Sequence, residues 1–142
     1  LYTLVDHIGP INTFAHRDFH SRNMLYHKEK IYLVDFQDSL KASKYYDIVS
    51  FVFDSYLDLK NHRQDFITLL EEQDHPVDKD QFYLTALQRN IKALGTFGFQ
   101  VKVRKNLTYK KYINRTIRHI LNNEAFDKFL ERSMFDSVKD KL

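Results

Sequence analysis

The run His16-Arg17-Asp18-Phe19-His20-Ser21-Arg22-Asn23 leads directly into two short apolar stretches, Met24-Leu25-Tyr26 and Ile31-Tyr32-Leu33-Val34. Only the polar His27-Lys28-Glu29-Lys30 separates them, so the pattern predicts a β-hairpin with Asn23 at its start and Asp35 at its exit. A hairpin returns the chain on itself. It therefore sets Asn23 beside Asp35, although 35 − 23 = 12 positions separate them. Few folds place an amide and a carboxylate together in this way immediately after a polar loop, and the remainder of the chain reads as the support for that loop.

Upstream, Leu1, Leu4, Val5 and Ile8 have helical spacing, stopped by Gly9-Pro10, and Thr13-Phe14-Ala15 is an extended approach to the loop. Downstream the periodicity is helical. Ile48, Val49, Val52, Phe53, Tyr56 and Leu57 make a broad apolar face, widened by Phe51 and Leu59, as expected of a helix central to its domain. Phe66, Ile67, Leu69 and Leu70 mark a second helix, ending before Asp74-His75-Pro76. A third, capped by Asp78 or Asp80, runs through Phe82, Leu87 and Leu94 towards Gly95, with Gly98 a kink or break. Tyr109, Ile113, Ile117 and Ile120-Leu121 give a fourth, capped by Thr108, and Ala125 to Met134 a fifth. The expected fold is mainly α with a small β-hairpin, in one domain. Nothing supplies the parallel strands of a Rossmann unit, and neither G-x-G-x-x-G nor G-x-x-x-x-G-K-[ST] occurs.

Composition bounds the function classes. Hydrophobic residues at 43% and charged residues at 29% are those of a globular chain rather than a disordered one. The absence of Cys removes disulfides and thiolate metal sites, which fits a reducing, cytoplasmic setting. No apolar run reaches membrane-spanning length, so no membrane partner is expected. From Gln81 to Asn123 there is no acidic residue, while Arg89, Lys92, Lys102, Arg104, Lys105, Lys110, Lys111, Arg115 and Arg118 fall in that interval. A solvated basic face is the simpler account. A non-catalytic module binding an anion or nucleic acid is the sharper one, but no nucleic-acid motif accompanies the charge and nucleic acid is not expected as a partner.

The loop carries the chemistry. Asp18 is the candidate catalytic base, placed to orient an alcohol and take its proton. Asn23 and Asp35 offer one neutral and one anionic oxygen, a donor set suited to Mg²⁺ that keeps waters and bridges nucleotide phosphates. H-R-D-x-x-x-x-N is the spacing of a kinase catalytic loop, and the set suits phosphoryl transfer from ATP to a hydroxyl. Each residue has a plainer role: Asp18 satisfying loop amides, Asn23 and Asp35 bounding strands. In a rival reading His16, Asp18 and His20 alternate on one face of an extended segment, as in a metal-dependent hydrolase. Otherwise His16, Arg17 and His20 shape the loop. Asp47 caps or opens the apolar helix and is also placed to tie the loop to it. Arg22, Gln37, Asp38 and Arg89 complete the candidate set as substrate contacts, with an internal ion pair the competing role for Arg89.

Three stretches together, His16 to Asn23, Val34-Asp35-Phe36-Gln37-Asp38 and Tyr46-Asp47-Ile48-Val49-Ser50, resemble the aminoglycoside phosphotransferase family, small-molecule kinases with a protein-kinase-like fold. The resemblance covers about a third of the chain. Leu87 to Gly95, and Asp35-Phe36-Gln37-Asp38, are similar to one branch, the bacterial cell-wall amino-sugar kinases acting on N-acetylmuramate or N-acetylglucosamine. The resemblance implies that Asp18 is the base, that Asn23 and Asp35 hold Mg²⁺, that Asp47 braces the loop, and that ATP is the phosphoryl donor. It departs from the protein-kinase pattern at Gln37, where a glycine would stand, and no A-P-E segment follows, both compatible with a small-molecule kinase. Such kinases also carry an N-terminal lobe that holds the nucleotide. With 15 residues before His16, the chain is expected to be the C-terminal lobe of a longer enzyme, partnered by that lobe, and alone to bind ATP poorly and turn over little.

Overall fold

The computed structural model describes residues 4, 6–72 and 76–131. Of the helix expected over Leu1 to Ile8, residues 1–3 and 5 lie outside the described residues, and Asp6 to Ile8 form a turn and bend instead; the end of the helix expected to reach Met134 also lies outside them. Strand β1 (Thr13–Ala15) pairs antiparallel with β4 (Leu40–Ala42), Thr13 opposite Ala42 and Ala15 opposite Leu40. Together they clasp the segment between them. That segment holds the loop, a 3-10 turn at Ser21–Asn23, and the hairpin of β2 (Met24–His27) and β3 (Lys30–Leu33), Met24 opposite Leu33 and His27 opposite Lys30. The hairpin's two-residue turn puts Lys28 and Glu29 at φ 48° and 61°. Both central residues are left-handed, as a tight hairpin turn with the strands' own twist requires.

Five α-helices follow among the described residues: α1 (Tyr46–Val52), α2 (Arg63–Glu72), α3 (Lys79–Lys102), α4 (Lys110–Leu121) and the single turn α5 (Phe126–Phe129). The central helix is α3, not the apolar segment after Tyr45. Its Leu84 and Leu87 pack with Leu4, Ile8, Ile120 and Phe126; its Phe82 and Ala86 with Val49, Val52, Phe53 and Ile67; its Phe97 and Val101 with Tyr112, Ile113 and Ile117. Each fully buried Val, Leu, Ile or Phe among them contributes roughly 1.5–3 kcal/mol through area removed from water. One helix thus joins three clusters.

Several expected boundaries move, each for a local reason. The first helix stops at Val52 instead of continuing through Tyr56 and Leu57, because Phe53 leaves helical geometry and buried Asp54 turns to bind backbone amides elsewhere. Asp78 is the cap of α3, its side chain accepting from the Gln81 amide at 3.1 Å. That helix continues through Gly95 and Gly98 to Lys102, since Phe97 and Val101 beyond the first glycine are core residues. Ahead of α4, Asn106 rather than Thr108 does the capping, over a 3-10 turn at Leu107–Tyr109; its carboxamide oxygen accepts from the Thr108 amide at 3.3 Å. α5 ends at Phe129, with Leu130 extended. Among the described residues, no helix is long and apolar enough to cross a membrane.

Candidate functional site

The loop hangs from α1 at both of its ends. Asp47, in the first turn, accepts the His16 amide at 2.7 Å and the Arg17 amide at 2.9 Å. Asp54, one residue past the helix end and 1% exposed, accepts the Ser21 amide at 2.8 Å and the Tyr56 amide at 2.7 Å. Sequence reasoning missed Asp54. The available signal was its spacing from Asp47: seven residues, two helical turns, would put two carboxylates on one face.

His16 is buried, and its Nε2–H donates to the Val34 carbonyl at 3.0 Å. Val34 in turn donates its amide to the Asn23 carbonyl at 3.0 Å. These two bonds join the loop, the start of β2 and the end of β3 around Asp35. The Asn23 side chain donates through Nδ2 to the Asp18 carbonyl at 3.0 Å. That commits the amide nitrogen and leaves Oδ1 as the free end. Asn23 is therefore in direct contact with Asp18, and Asp35 is one residue from the strand bond that holds Asn23.

Arg17 and Asp35 have φ of 72° and 68°, left-handed values that cost a side-chain-bearing residue about 1 kcal/mol or more. The surroundings hold both in place. Arg17 is fixed through its amide on Asp47 and through Nη1, which donates to the Asp38 carbonyl at 3.2 Å. Asp35 follows the doubly bonded Val34, and the Gln37 carboxamide donates to its Oδ1. Gln37 thus touches the candidate metal ligand, while Asp38 engages through its backbone. Both are exposed.

A small, open cleft adjoins Asp18, lined by Arg17, His20, Tyr46, Tyr56, Arg89 and Lys92 among others. Asp18 is the sole carboxylate in that lining. The His20 ring meets Tyr56 edge-on at 4.8 Å, and burial lowers its pKa, partly offset by the Asp54 charge. Burial also raises the Tyr56 phenol, which stays a protonated donor at neutral pH. Arg22 does not line the cleft; its guanidinium stacks over Tyr56 at 4.7 Å and Tyr112 at 5.6 Å. Arg89 does line it, 7% exposed, and no ion pair forms to it among the described residues.

The hydrolase arrangement is not favoured. Among the described residues, no three His, Cys, Asp or Glu side chains could share a metal ion. His16 is turned onto the Val34 carbonyl and His20 against Tyr56. Nor is the basic interval one solvated face: Arg89 is buried, and Arg115 donates to the Ser55 carbonyl at 3.0 Å and lies 3.8 Å from Asp58.

The residues suit phosphoryl transfer in kind: a half-buried carboxylate facing a cleft, an amide bonded to that residue's backbone, and an exposed carboxylate just past the hairpin. Residues 9–77 match the model of the phosphotransferase enzyme family, APH. The match spans Asp18, Asn23, Asp35, Asp47 and Asp54 and stops short of α3. It supports the resemblance to the aminoglycoside phosphotransferases and, with it, a phosphotransferase of the kinase-like type. The mostly helical chain with its small antiparallel sheets fits part of such a fold. No curated protein matches the chain.

Proposed function

We propose that the chain is the C-terminal lobe of a small-molecule kinase that moves the γ-phosphoryl group of ATP to a hydroxyl of a sugar or amino sugar. The observation that carries this is the Asn23 side chain bonded to the Asp18 backbone, with Asp35 next in the chain to Val34, whose amide is bonded to the Asn23 carbonyl. In this reading Asp18 accepts the hydroxyl proton as the oxygen attacks. Arg17, Asp47 and Asp54 keep the loop's backbone from relaxing, so Asp18 meets its substrate already positioned.

The donor chemistry suits Mg²⁺: with Nδ2 of Asn23 committed to Asp18, its Oδ1 and the exposed Asp35 carboxylate are both hard oxygen donors. A bound Mg²⁺ would neutralise charge developing on the transferring phosphates. Gln37 would steady Asp35 for that task.

A nucleotide-binding lobe of the same full-length chain would cover the hairpin face. Tyr26 and Ile31, paired across the hairpin, are 75% and 68% exposed, and Phe36 just beyond it is 69% exposed, apolar surface of the kind that marks a contact site. The closer kinship proposed is with the cell-wall amino-sugar kinases, on the strength of Asp35-Phe36-Gln37-Asp38 and of Leu87 to Gly95, of which Arg89, Lys92 and Ala93 line the cleft.

The test is ATP consumption by the full-length enzyme against a panel of sugars and aminoglycosides, with Mg²⁺ titrated. Transfer to at least one sugar is expected. Asn23→Ala and Asp35→Ala should each raise the Mg²⁺ concentration needed for half-maximal rate by roughly ten-fold or more. No transfer to any member, or an unchanged Mg²⁺ requirement in both variants, contradicts the proposal.

A further inference from the structure

Arg89 sits in the middle of α3 with its side chain almost wholly enclosed. Its Nε donates to the Ser50 hydroxyl at 3.2 Å, and Ser50 passes its own proton to the Tyr46 carbonyl at 2.7 Å. Its Nη1 is buried without a hydrogen-bond partner among the described residues. The Asp54 and Asp18 carboxylates attract it without forming an ion pair. A buried guanidinium left short of a counter-charge costs several kcal/mol, and an anion brought into contact with it offsets that cost.

One turn further along the same helix, Lys92 lines the same cleft, exposed, its Nζ 3.3 Å from the Tyr46 hydroxyl. The cleft therefore presents the buried fork of Arg89 and the exposed ammonium of Lys92, with Arg17 also in its lining, against the single carboxylate of Asp18. This arrangement is hostile to a polyammonium acceptor and welcoming to an acidic one. Asn23 and Asp35, the candidate nucleotide-side ligands, do not line the cleft. The excess positive charge thus lies on the acceptor's side of Asp18.

We infer that the acceptor is a hydroxylated molecule bearing an anionic group, and that Arg89 and Lys92 on α3 seat that group in the cleft. The inference rests on the phosphotransferase reading and adds to it the acceptor's charge class. Neither residue lies in the segment that matches the family model.

The experiment measures binding by calorimetry to the full-length enzyme in an Asp18→Asn background. It uses matched acid and neutral pairs: glucuronate against glucose, and N-acetylmuramate against N-acetylglucosamine, with glucose 6-phosphate as the phosphate-bearing arm. At least one acid should bind roughly ten-fold or more tightly than its neutral parent, the value of a charge-assisted hydrogen bond. Lys92→Gln, at an exposed position that does not threaten folding, and Arg89→Gln should each shrink that preference several-fold. Mg-ADP affinity should not move in Lys92→Gln. Binding of acid and neutral members alike, binding of none, a preference that survives Lys92→Gln, or an equal loss of Mg-ADP affinity overturns the inference. Transfer to glucose and glucuronate at equal kcat/KM does so too and leaves the phosphotransferase standing. An acid preference in binding, without transfer by the enzyme carrying Asp18, overturns the phosphotransferase reading and the ligand's role as acceptor, and leaves Arg89 and Lys92 as the seat of an anion.

Discussion

Asp47 and Asp54 hold opposite ends of one loop from opposite ends of one helix. The first accepts the amides of His16 and Arg17, the second the amide of Ser21, and Asp18 lies between those anchors. A seven-residue helix is therefore a ruler: its length sets the span across which the loop is stretched. The left-handed Arg17 is the local strain that this clamp sustains.

Removing either carboxylate should be costly in two ways. Asp54→Ala empties a buried site and leaves two part-buried amides without their acceptor, and should destabilise the protein by about 2–3 kcal/mol, Asp54→Asn by less, since one oxygen remains. Asp47→Ala should cost about 2 kcal/mol. Urea melts give the stability change. In the folded fraction, kcat should fall more than KM rises, because the loop rather than the cleft is loosened. Wild-type melts for both alanine variants would remove the clamp from the account.

His119 connects this clamp to acid stability. It is buried, its Nδ1 accepts from Arg63 Nη2 at 2.7 Å, and its Nε2–H donates to the Asp54 carbonyl at 3.3 Å. Burial, reinforced by the Arg63 charge, lowers its pKa to about 4. An unfolded histidine titrates near 6.5. Between those values the unfolded state holds the extra proton, so folding stability should decline as pH drops from about 6.5 and level off below about 4. The total loss is on the order of 3 kcal/mol. His119→Gln should flatten that slope, read as the wild-type minus variant difference in unfolding free energy across pH 4–7. Identical slopes would show that the imidazole does not titrate in this window.

Gly95 lies on an exposed turn of α3, and a Cβ built there meets nothing within 4 Å. Gly95→Ala should stabilise the protein by about 0.5–1 kcal/mol, by restricting the unfolded chain and favouring the helix. A thermal melt decides it: a lower midpoint would mean that α3 is not a continuous helix there.

What the sequence disclosed best was local. The hairpin was legible because two apolar runs flank four polar residues, and it carried the contact between the starts and ends of its strands. The Asp78 cap was legible because capping is a property of neighbouring residues. The pairing of Thr13–Ala15 with Leu40–Ala42 was not, since three-residue strands carry too little pattern to reveal a distant partner. The break after Val52 was hidden for a related reason. Phe53 and Tyr56 continue the apolar periodicity while Asp54 is diverted to a loop more than thirty residues earlier, a tertiary demand that outweighs local propensity. Gly95 and Gly98 misled in the opposite sense, because core packing by Phe97 and Val101 carries the helix past them. Arg89 was legible as a candidate contact but not as a buried cation without an ion-pair partner, because that depends on which carboxylates the fold fails to bring near it.

The central claim is that Asp18 takes the proton of the accepting hydroxyl. The most direct measurement is the rate of γ-phosphoryl transfer by full-length Asp18→Asn enzyme at saturating Mg-ATP and acceptor, beside wild type. A fall in kcat of about 10²–10⁴ with KM for ATP nearly unchanged is the expected result. A kcat within a few-fold of wild type would contradict it.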